Sequence, residues 1–190
     1  MKLSLFSVND HYPAHGRSVP QLYAEVLAQA ELGEALGYEV FFSAEHHFHP
    51  YGVVPDPAVL LAALAARTTR LRLGTAIAVL TFHNPLTVAE SYVMLDVISG
   101  GRLVLGVGSG YLKHELAGYN VDPDDKRARF DENFMLLRRL LAGERITHKG
   151  RFNDIAGVQI NVVRCRTRCR SMSRCCARRP PTRSAARARR

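Results

Sequence analysis

Histidine is concentrated after the predicted strands of this chain. Seven of its eight histidines follow one of four short apolar segments that are predicted to be strands, and only His148 lies elsewhere. Imidazole titrates near neutral pH, so it can donate or accept a proton there, and its nitrogens also bind metals. Because the loops after parallel strands meet at one end of a sheet, we expect these histidines to line a functional rim. They are His11, His15, His46, His47, His49, His83 and His114.

The densest group is the segment Glu45-His46-His47-Phe48-His49. One hypothesis is a metal site, because His47-x-His49 resembles the paired histidines of barrel hydrolases that activate a zinc-bound water. Those enzymes carry the pair after the first strand, whereas here it follows the second, so we predict no metal site. The other hypothesis is general acid–base work beside an organic cofactor, with Glu45 orienting a ring or hydrogen-bonding a heterocycle.

Strand and helix signals alternate along the first three quarters of the chain. Near-continuous apolar strands between amphipathic helices predict an α/β fold with a parallel sheet and right-handed crossovers. Capping signals support the helices: Ser18 precedes Gln21, Asp56 precedes Pro57, and Gly37 suits a left-handed helix end. The predicted strands cover residues 2–8, 40–42, 71–80 and 102–107, and the predicted helices cover residues 18–37, 56–67, 85–99 and 130–141.

These four units correspond to half of a barrel. A closed eight-unit barrel needs about 250 residues, and this chain has 190. The alternative is a complete, small doubly wound sheet, whose dinucleotide fingerprint is G-x-G-x-x-G. The segment 106–111 begins in that way but has Tyr111 in place of the third glycine, so the fingerprint fails. We predict the first four βα units of a (β/α)8 TIM-type barrel, followed by a short β insert over residues 146–163.

Motifs in the second, third and fourth units resemble those of the bacterial-luciferase-like flavin-dependent monooxygenase family. Residues 40–48 (VFFSAEHHF) are similar to its second-strand motif, and residues 73–86 (LGTAIAVLTFHNPL) to its third strand. Residues 95–102 (LDVISGGR) are similar to the passage from the third helix to strand four, and residues 106–111 to the turn after it. The order and spacing agree, and the resemblance covers residues 1–163.

The resemblance implies an enzyme that binds reduced FMN, supplied by a separate flavin reductase, and uses O2 to oxidise a small organic substrate. It implies that His46 is catalytic beside the reactive flavin edge, and that Ala76-Ile77 is a non-proline cis peptide under the flavin ring. Ser109 stands where the luciferase α chain has an arginine that reaches the flavin phosphate, so the neutral turn offers only backbone N–H groups. The implied cofactor-binding residues are Glu45, His47, Thr75, Ala76, Ile77, Gly108 and Ser109.

Two other functions stay open. Relatives with this fold use a deazaflavin for hydride transfer, and the luciferase β chain is a structural partner without catalysis. The family also tends to form dimers through its second and third helices, so we expect a homodimer of the full-length protein. Small residues on the second helix suit close helix contact, although packing on the chain's own sheet explains them equally. They are Ala58, Ala62, Ala63, Ala65 and Ala66.

The segment 164–190 differs from the rest in composition. It holds 11 Arg and four Cys but no Asp, Glu or Lys, whereas residues 1–163 carry 15 basic and 17 acidic residues and no Cys. An arginine-rich arm that binds nucleic acid is one interpretation. We favour translation in the wrong frame. If residues 164–176 have GC-rich codons, reading those codons from one base earlier can encode a proline-rich segment followed by an apolar strand. We expect this tail to be disordered.

The remaining expectations concern location. The N-terminus is too weakly apolar for a signal peptide, and the longest apolar run, residues 58–66, is too short to cross a bilayer. We therefore expect a cytoplasmic protein without a membrane contact. Residues 1–163 have no basic surface composition for specific nucleic-acid binding.

Overall fold

The computed structural model describes residues 1–162 and the backbone of Ser173–Arg174. The disorder and the shifted frame expected for residues 164–190 otherwise fall outside the described residues. The helices are α1 (Val19–Ala35), α2 (Pro57–Arg67), α3 (Pro85–Ile98), α4 (Lys113–Gly118) and α5 (Lys126–Leu141). The strands are β1 (Ser4–Ser7), β2 (Val40–Ser43), β3 (Arg72–Thr75), β4 (Ala78–Val79), β5 (Leu103–Val104), β6 (Gly106–Gly108), β7 (Ile146–Lys149), β8 (Asp154–Val158) and β9 (Ser173–Arg174).

The strands of the two larger sheets are parallel and lie in the order in which they occur along the chain. One sheet has the order β1-β2-β3-β5, and a second has the order β4-β6-β9. Each strand therefore lies beside the strand of the preceding or following unit, as in a (β/α) barrel. A doubly wound sheet instead reverses its strand order at a switch point. The α/β prediction with a parallel sheet is confirmed. The predicted insert is the antiparallel hairpin β7–β8.

Two predicted strands are divided in the structure. The strand expected at residues 71–80 breaks into β3 and β4 at a cis peptide bond between Ala76 and Ile77, the bond that the family resemblance implies. The strand expected at 102–107 breaks into β5 and β6 at Leu105. The pairing continues on both sides, since β3 pairs with β5 and β4 pairs with β6. The two neighbouring strands are thus interrupted at adjacent positions, and their carboxyl-terminal parts, β4 and β6, stay paired.

The core lies between the sheet and its helices. Leu61 and Leu64 of α2, Leu73 of β3, Val93 of α3 and Leu137 of α5 have no exposed surface. These leucines and the valine come from the apolar stripes of their helices and from a strand buried on both faces. Among the described residues, no helix is long and apolar enough to cross a membrane.

The helix ends follow the local capping signals. The Ser18 side chain accepts a hydrogen bond from the Gln21 N–H at 3.3 Å, and the Asp56 carboxylate accepts one from the Ala58 N–H at 2.9 Å. Gly37 adopts φ +83° just after α1, where a residue with a Cβ is strained. These caps mark the start of α1 and α2 and the end of α1.

Candidate active site

The loops after β2, β4 and β6 meet at the carboxyl end of the sheet. The chain after β2 supplies Glu45, His46 and His47, and the chain after β4 supplies His83. The third contribution is α4, a short helix after β6 that the sequence analysis did not predict. This convergence agrees with the expectation that the strand-end histidines gather at one face.

His46 forms a hydrogen-bonded pair with Glu115 of α4. The Nδ1 atom of His46 lies 3.1 Å from the Glu115 carboxylate, which also accepts a hydrogen bond from the backbone N–H of His47 at 2.9 Å. The carboxyl side chain of Glu115 is 2% exposed and that of His46 is 15% exposed. A carboxylate on Nδ1 fixes the tautomer that carries its proton there, so the Nε2 atom is the one available for proton exchange. Within the described chain, Nε2 has no hydrogen-bond partner.

Glu45 is the centre of a second, more deeply buried network. One carboxylate oxygen accepts hydrogen bonds from Nε2 of His47 at 2.9 Å and Nε2 of His83 at 2.7 Å. The other oxygen accepts the backbone N–H of Val79 at 3.0 Å. The far nitrogen of the His47 ring lies 3.1 Å from the hydroxyl of Tyr119. Both oxygens of Glu45 and both nitrogens of His47 are therefore used inside the protein.

The network keeps a charge in the interior. Burial by itself raises the pKa of Glu45, but the hydrogen bonds from His47 and His83 outweigh it and hold the pKa below its ordinary value. Burial lowers the pKa of His83, but the hydrogen bond and the charge of Glu45 outweigh it and raise that pKa above its ordinary value. Both shifts favour a carboxylate that faces an imidazolium.

Aromatic rings enclose His47. Its ring makes edge contacts with Tyr119 and Phe82, with centroid distances of 4.9 Å and 5.7 Å. Tyr119 and Phe82 stack on each other at 4.6 Å. Burial and the nearby carboxylates Glu45 and Glu115 raise the pKa of the Tyr119 hydroxyl. The aromatic cage excludes water from the Glu45–His47 contact and so strengthens it.

The cis bond and the glycine turn lie against each other. The side chain of Ile77 lies directly over Gly108, so a Cβ atom at this position would force the end of the Ile77 side chain to move. Ala76 and Ile77 are half-buried and leave apolar surface accessible at the strand end. The Thr75 hydroxyl, in contrast, is buried and bonded to both the carbonyl and the N–H of Gly106. Thr75 therefore ties β3 to β6, and its hydroxyl is not free for a ligand.

Ser109 is half-buried in the turn after β6. Lys126 contacts this turn, since its ammonium group donates a hydrogen bond to the carbonyl of Gly110 at 3.2 Å. The turn therefore offers backbone groups, with the ammonium group of Lys126 beside it.

The other strand-end histidines have separate roles. His11 is buried, and its ring is held between the carbonyls of Pro50 and Arg17. His15 ends an exposed 3-10 helix. His49 does not join His47 in a pair, since its ring packs on Tyr51 and faces His114 at 4.1 Å and 5.5 Å between centroids. The structure thus brings together His46, His47 and His83 of the predicted rim.

Glu115 and Tyr119 were missed by the sequence analysis. Glu115 lies in α4 and Tyr119 lies just after it. The N-cap residue of α4 is Leu112, whose side chain makes no capping hydrogen bond, so no capping signal announces this helix. A signal was nevertheless present: Leu112, Leu116 and Tyr119 keep helical spacing after a glycine turn, with Glu115 on the same side as Tyr119. His83 was counted among the rim histidines, but no role was assigned to it.

The accessible groups suit a flavin. His46 offers its Nε2 atom, while its Nδ1 atom is held by Glu115. Ala76 and Ile77 offer an apolar surface, and the turn at Ser109 offers backbone N–H groups. An apolar surface with a few polar groups suits an isoalloxazine ring, and backbone N–H groups suit an anion. Glu45, His47 and Thr75 stand behind this surface as buried support.

Three solved or curated proteins are similar to this chain. Monooxygenase RslO1 from Streptomyces bottropensis is 38% identical with a TM-score of 0.83, over 87% of this chain and 50% of its own. The oxygenating constituent of 3,6-diketocamphane monooxygenase from Pseudomonas putida, solved with FMN, is 22% identical with a TM-score of 0.76, over 82% and 43%. The F420-dependent glucose-6-phosphate dehydrogenase of Microbacterium testaceum is 32% identical, over 72% of this chain and 42% of its own. The chain thus spans about half or less of the length of these relatives.

The family model named luciferase-like monooxygenase matches residues 1–181. That match covers nearly the whole chain. The chain belongs to the luciferase-like monooxygenase family.

Proposed function

We propose that this chain carries the first half of the active site of a flavin-dependent monooxygenase, in which reduced FMN and O2 oxidise a small organic substrate. The observation that carries the proposal is the His46–Glu115 pair, which stands at the carboxyl end of the strands where barrel enzymes perform chemistry. A buried carboxylate on Nδ1 with a free Nε2 is the arrangement of a general acid–base group. The same pair argues against a non-catalytic partner chain, which has no use for it.

The residues have distinct roles in this proposal. The bound cofactor supplies the electrons that activate oxygen. Glu115 holds the His46 ring in one orientation, so that Nε2 gives a proton to, or takes one from, the reacting group. Ala76 and Ile77 form the apolar surface under the ring system, and Gly108 and Ser109 contribute backbone N–H groups. Glu45 and His47 hold the loops after β2 and β4 in register and keep water out.

A deazaflavin is the second candidate cofactor. The similarity to the F420-dependent dehydrogenase of Microbacterium testaceum supports it, since that protein matches this chain at 32% identity. The two cofactors lead to different reactions, because the deazaflavin transfers hydride and does not require O2. Oxygen uptake therefore distinguishes them.

The partners follow from the same proposal. A separate flavin reductase supplies reduced FMN, and the full-length protein forms a homodimer through α2 and α3. The outward faces of these helices leave large apolar side chains exposed, and burying them in a dimer removes them from water. They are Val59, Met94, Val97 and Ile98. Cytoplasmic location agrees with the Cys-free composition of residues 1–163.

A chimera tests the function. Residues 1–162 are fused to the carboxyl-terminal half of RslO1 and supplied with either reduced FMN or reduced F420. We expect O2 uptake and a mono-oxygenated product with FMN, and no such uptake with F420. A chimera that binds F420 alone and transfers hydride would replace the monooxygenase proposal with the dehydrogenase one.

A further inference from the structure

Glu45, His47 and His83 form a second chemical grouping beside the proposed flavin site. One ligand-type atom from each residue lies within 4.8 Å of the other two, and two of the three residues are buried. One carboxylate with two imidazoles is a common ligand set for Zn²⁺ and related ions. The zinc pair considered from the sequence, His47-x-His49, does not form, whereas this set is created by folding.

The geometry points to a binding site for a divalent transition-metal ion, of the Zn²⁺ or Co²⁺ type, formed by Glu45, His47 and His83. In the apo arrangement the two Nε2 atoms are 2.9 Å and 2.7 Å from the same Glu45 oxygen. Ligand atoms around tetrahedral zinc are separated by about 3.3 Å, given bonds of about 2.0–2.1 Å. Admitting the ion therefore requires an opening of about half an ångström.

The surroundings are those of a supported metal site. The second oxygen of Glu45 is held by the Val79 N–H, so one oxygen remains directed at the two imidazoles. On the far side of His47, Nδ1 faces the Tyr119 hydroxyl at 3.1 Å. When a metal takes Nε2 of His47, the ring proton moves to Nδ1 and the bond to Tyr119 reverses, which a hydroxyl permits because it both donates and accepts.

A route from solvent exists through His83. Its side chain is 31% exposed, whereas those of His47 and Glu45 are 3% and 1% exposed. His83 releases the proton on its Nε2 to solvent when that nitrogen binds the ion. An ion bound here pulls the loops after β2 and β4 toward a new centre. We therefore expect it to act on the proposed flavin site as an inhibitor, and this last point alone rests on the proposed function.

Metal binding is measured on the full chain without any flavin. Cys165, Cys169, Cys175 and Cys176 are replaced by Ser in every sample, because thiolates bind zinc. Co²⁺ is titrated and followed by its visible d–d absorption, and Zn²⁺ is then added as a competitor. We expect one Co²⁺ per chain in a four- or five-coordinate spectrum, displaced by Zn²⁺.

Two variants and a matched control locate the ion. His83→Ala removes the most exposed ligand and is expected to weaken Co²⁺ binding by at least about 100-fold, since even outer-shell partners contribute 10–100-fold. Tyr119→Phe removes the support of His47 and is expected to weaken it by about tenfold. His49→Ala leaves the three ligands in place and is expected to change nothing. Circular dichroism confirms that each variant is folded.

The outcomes divide clearly. No saturable Co²⁺ binding below millimolar concentration, or binding that folded His83→Ala retains, would overturn the site. Loss of binding in His49→Ala with retention in His83→Ala would assign the ion to the neighbouring histidines and would also overturn it. Because flavin is absent, these results are independent of whether the monooxygenase proposal holds.

Discussion

At the scale of single residues, His46 and His47 differ because each bonds to a different carboxylate. His46 and His47 are adjacent in sequence but face different carboxylates, Glu115 and Glu45. His46 keeps one nitrogen free, whereas His47 uses both and is 3% exposed. Adjacent residues of one type therefore divide into an accessible acid–base group and a buried support.

The first prediction concerns this pair. In the chimera with the RslO1 half, His46→Ala should lower oxygenation by about 10²–10⁴-fold, the usual size of acid–base help, with flavin binding largely kept. Glu115→Gln should cause a smaller loss, up to about 10²-fold, because the ring remains but its orientation is lost. His15→Ala, exposed and remote, is the control. Product formation by His46→Ala within threefold of the parent would remove this residue from catalysis.

The second prediction is a pH dependence of stability from the Glu45–His83 contact. The folded pKa of Glu45 lies below its ordinary 4.5, so its contribution is present above that pH and is lost as pH falls through the folded value. The folded pKa of His83 lies above its ordinary 6.5, so its contribution is complete below that pH and is lost as pH rises through the folded value. The contact should stabilise the fold most between these two ordinary values.

Thermal unfolding of the parent and His83→Gln across pH measures this contribution. The difference in Tm should be largest between about pH 4.5 and 6.5 and should shrink on both sides. His15→Gln serves as the comparison, because its side chain belongs to an exposed helix end. A Tm difference that is constant from pH 4 to pH 9 would show that the contact is uncharged.

At the scale of elements, a few charged side chains fasten one unit to the next. Glu34 near the end of α1 accepts hydrogen bonds from the backbone N–H groups of Thr69, Arg70 and Leu71, which lead into β3. These backbone bonds outweigh burial and lower the pKa of Glu34. In this way α1, the helix of the first unit, helps to fix where β3 begins.

The third prediction tests this fastening. Glu34→Ala should destabilise the chain by about 0.5–1.5 kcal/mol, mainly because the partly buried N–H of Leu71 loses its acceptor. Glu31→Ala on the same helix removes only an ion pair with the solvent-screened Arg67 and should cost clearly less. Urea unfolding of both variants gives the comparison. Equal losses in the two would show that the three N–H groups are satisfied by water.

At the scale of the whole molecule, the described fold has open apolar surface. Phe6 of β1 is 58% exposed, although it lies on a strand of the central sheet. A groove of about 310 Å³ runs beside β1 and α1, with Leu5, Leu32 and Leu36 among its lining. Sheet edges and apolar faces of this kind are covered in a closed barrel. We propose that residues 1–163 are half of such a barrel and that the segment 164–190 belongs to another reading frame. Inspecting the nucleotide sequence after codon 163 tests the second proposal.

The fourth prediction is that the present chain associates with itself. The exposed face of β1 and its groove are apolar, so copies bury them against each other. Size-exclusion chromatography should show concentration-dependent oligomers, and Phe6→Glu with Leu32→Glu should shift them toward the monomer. Met135→Glu on α5 is the control for an added charge elsewhere. A sharp monomer peak with protected amides in all four parallel units would contradict this prediction.

The fifth prediction is that the chain does not turn over as it stands. Barrels usually bind a cofactor phosphate with loops after strands seven and eight, and no described residue belongs to such units. An open site also admits the water that flavin chemistry must exclude. FMN titrated against the 190-residue chain should bind weakly and without substrate-dependent O2 uptake. Saturable micromolar binding with such uptake would show that half a barrel is sufficient.

The sequence by itself determined the features that depend on near neighbours. The caps at Ser18 and Asp56 involve residues two or three apart, and the strand-and-helix alternation follows from local patterns, so both were predicted. The cis bond at Ala76-Ile77 was predicted only through the family resemblance, and no local pattern in the sequence indicates it. Tertiary structure alone decided the partners. Glu115 reaches His46 across 69 residues, and Glu45 reaches His83 across 38, because parallel crossovers bring successive strand ends together. No local pattern encodes which buried carboxylate meets which imidazole, or that the Thr75 hydroxyl is used up by Gly106.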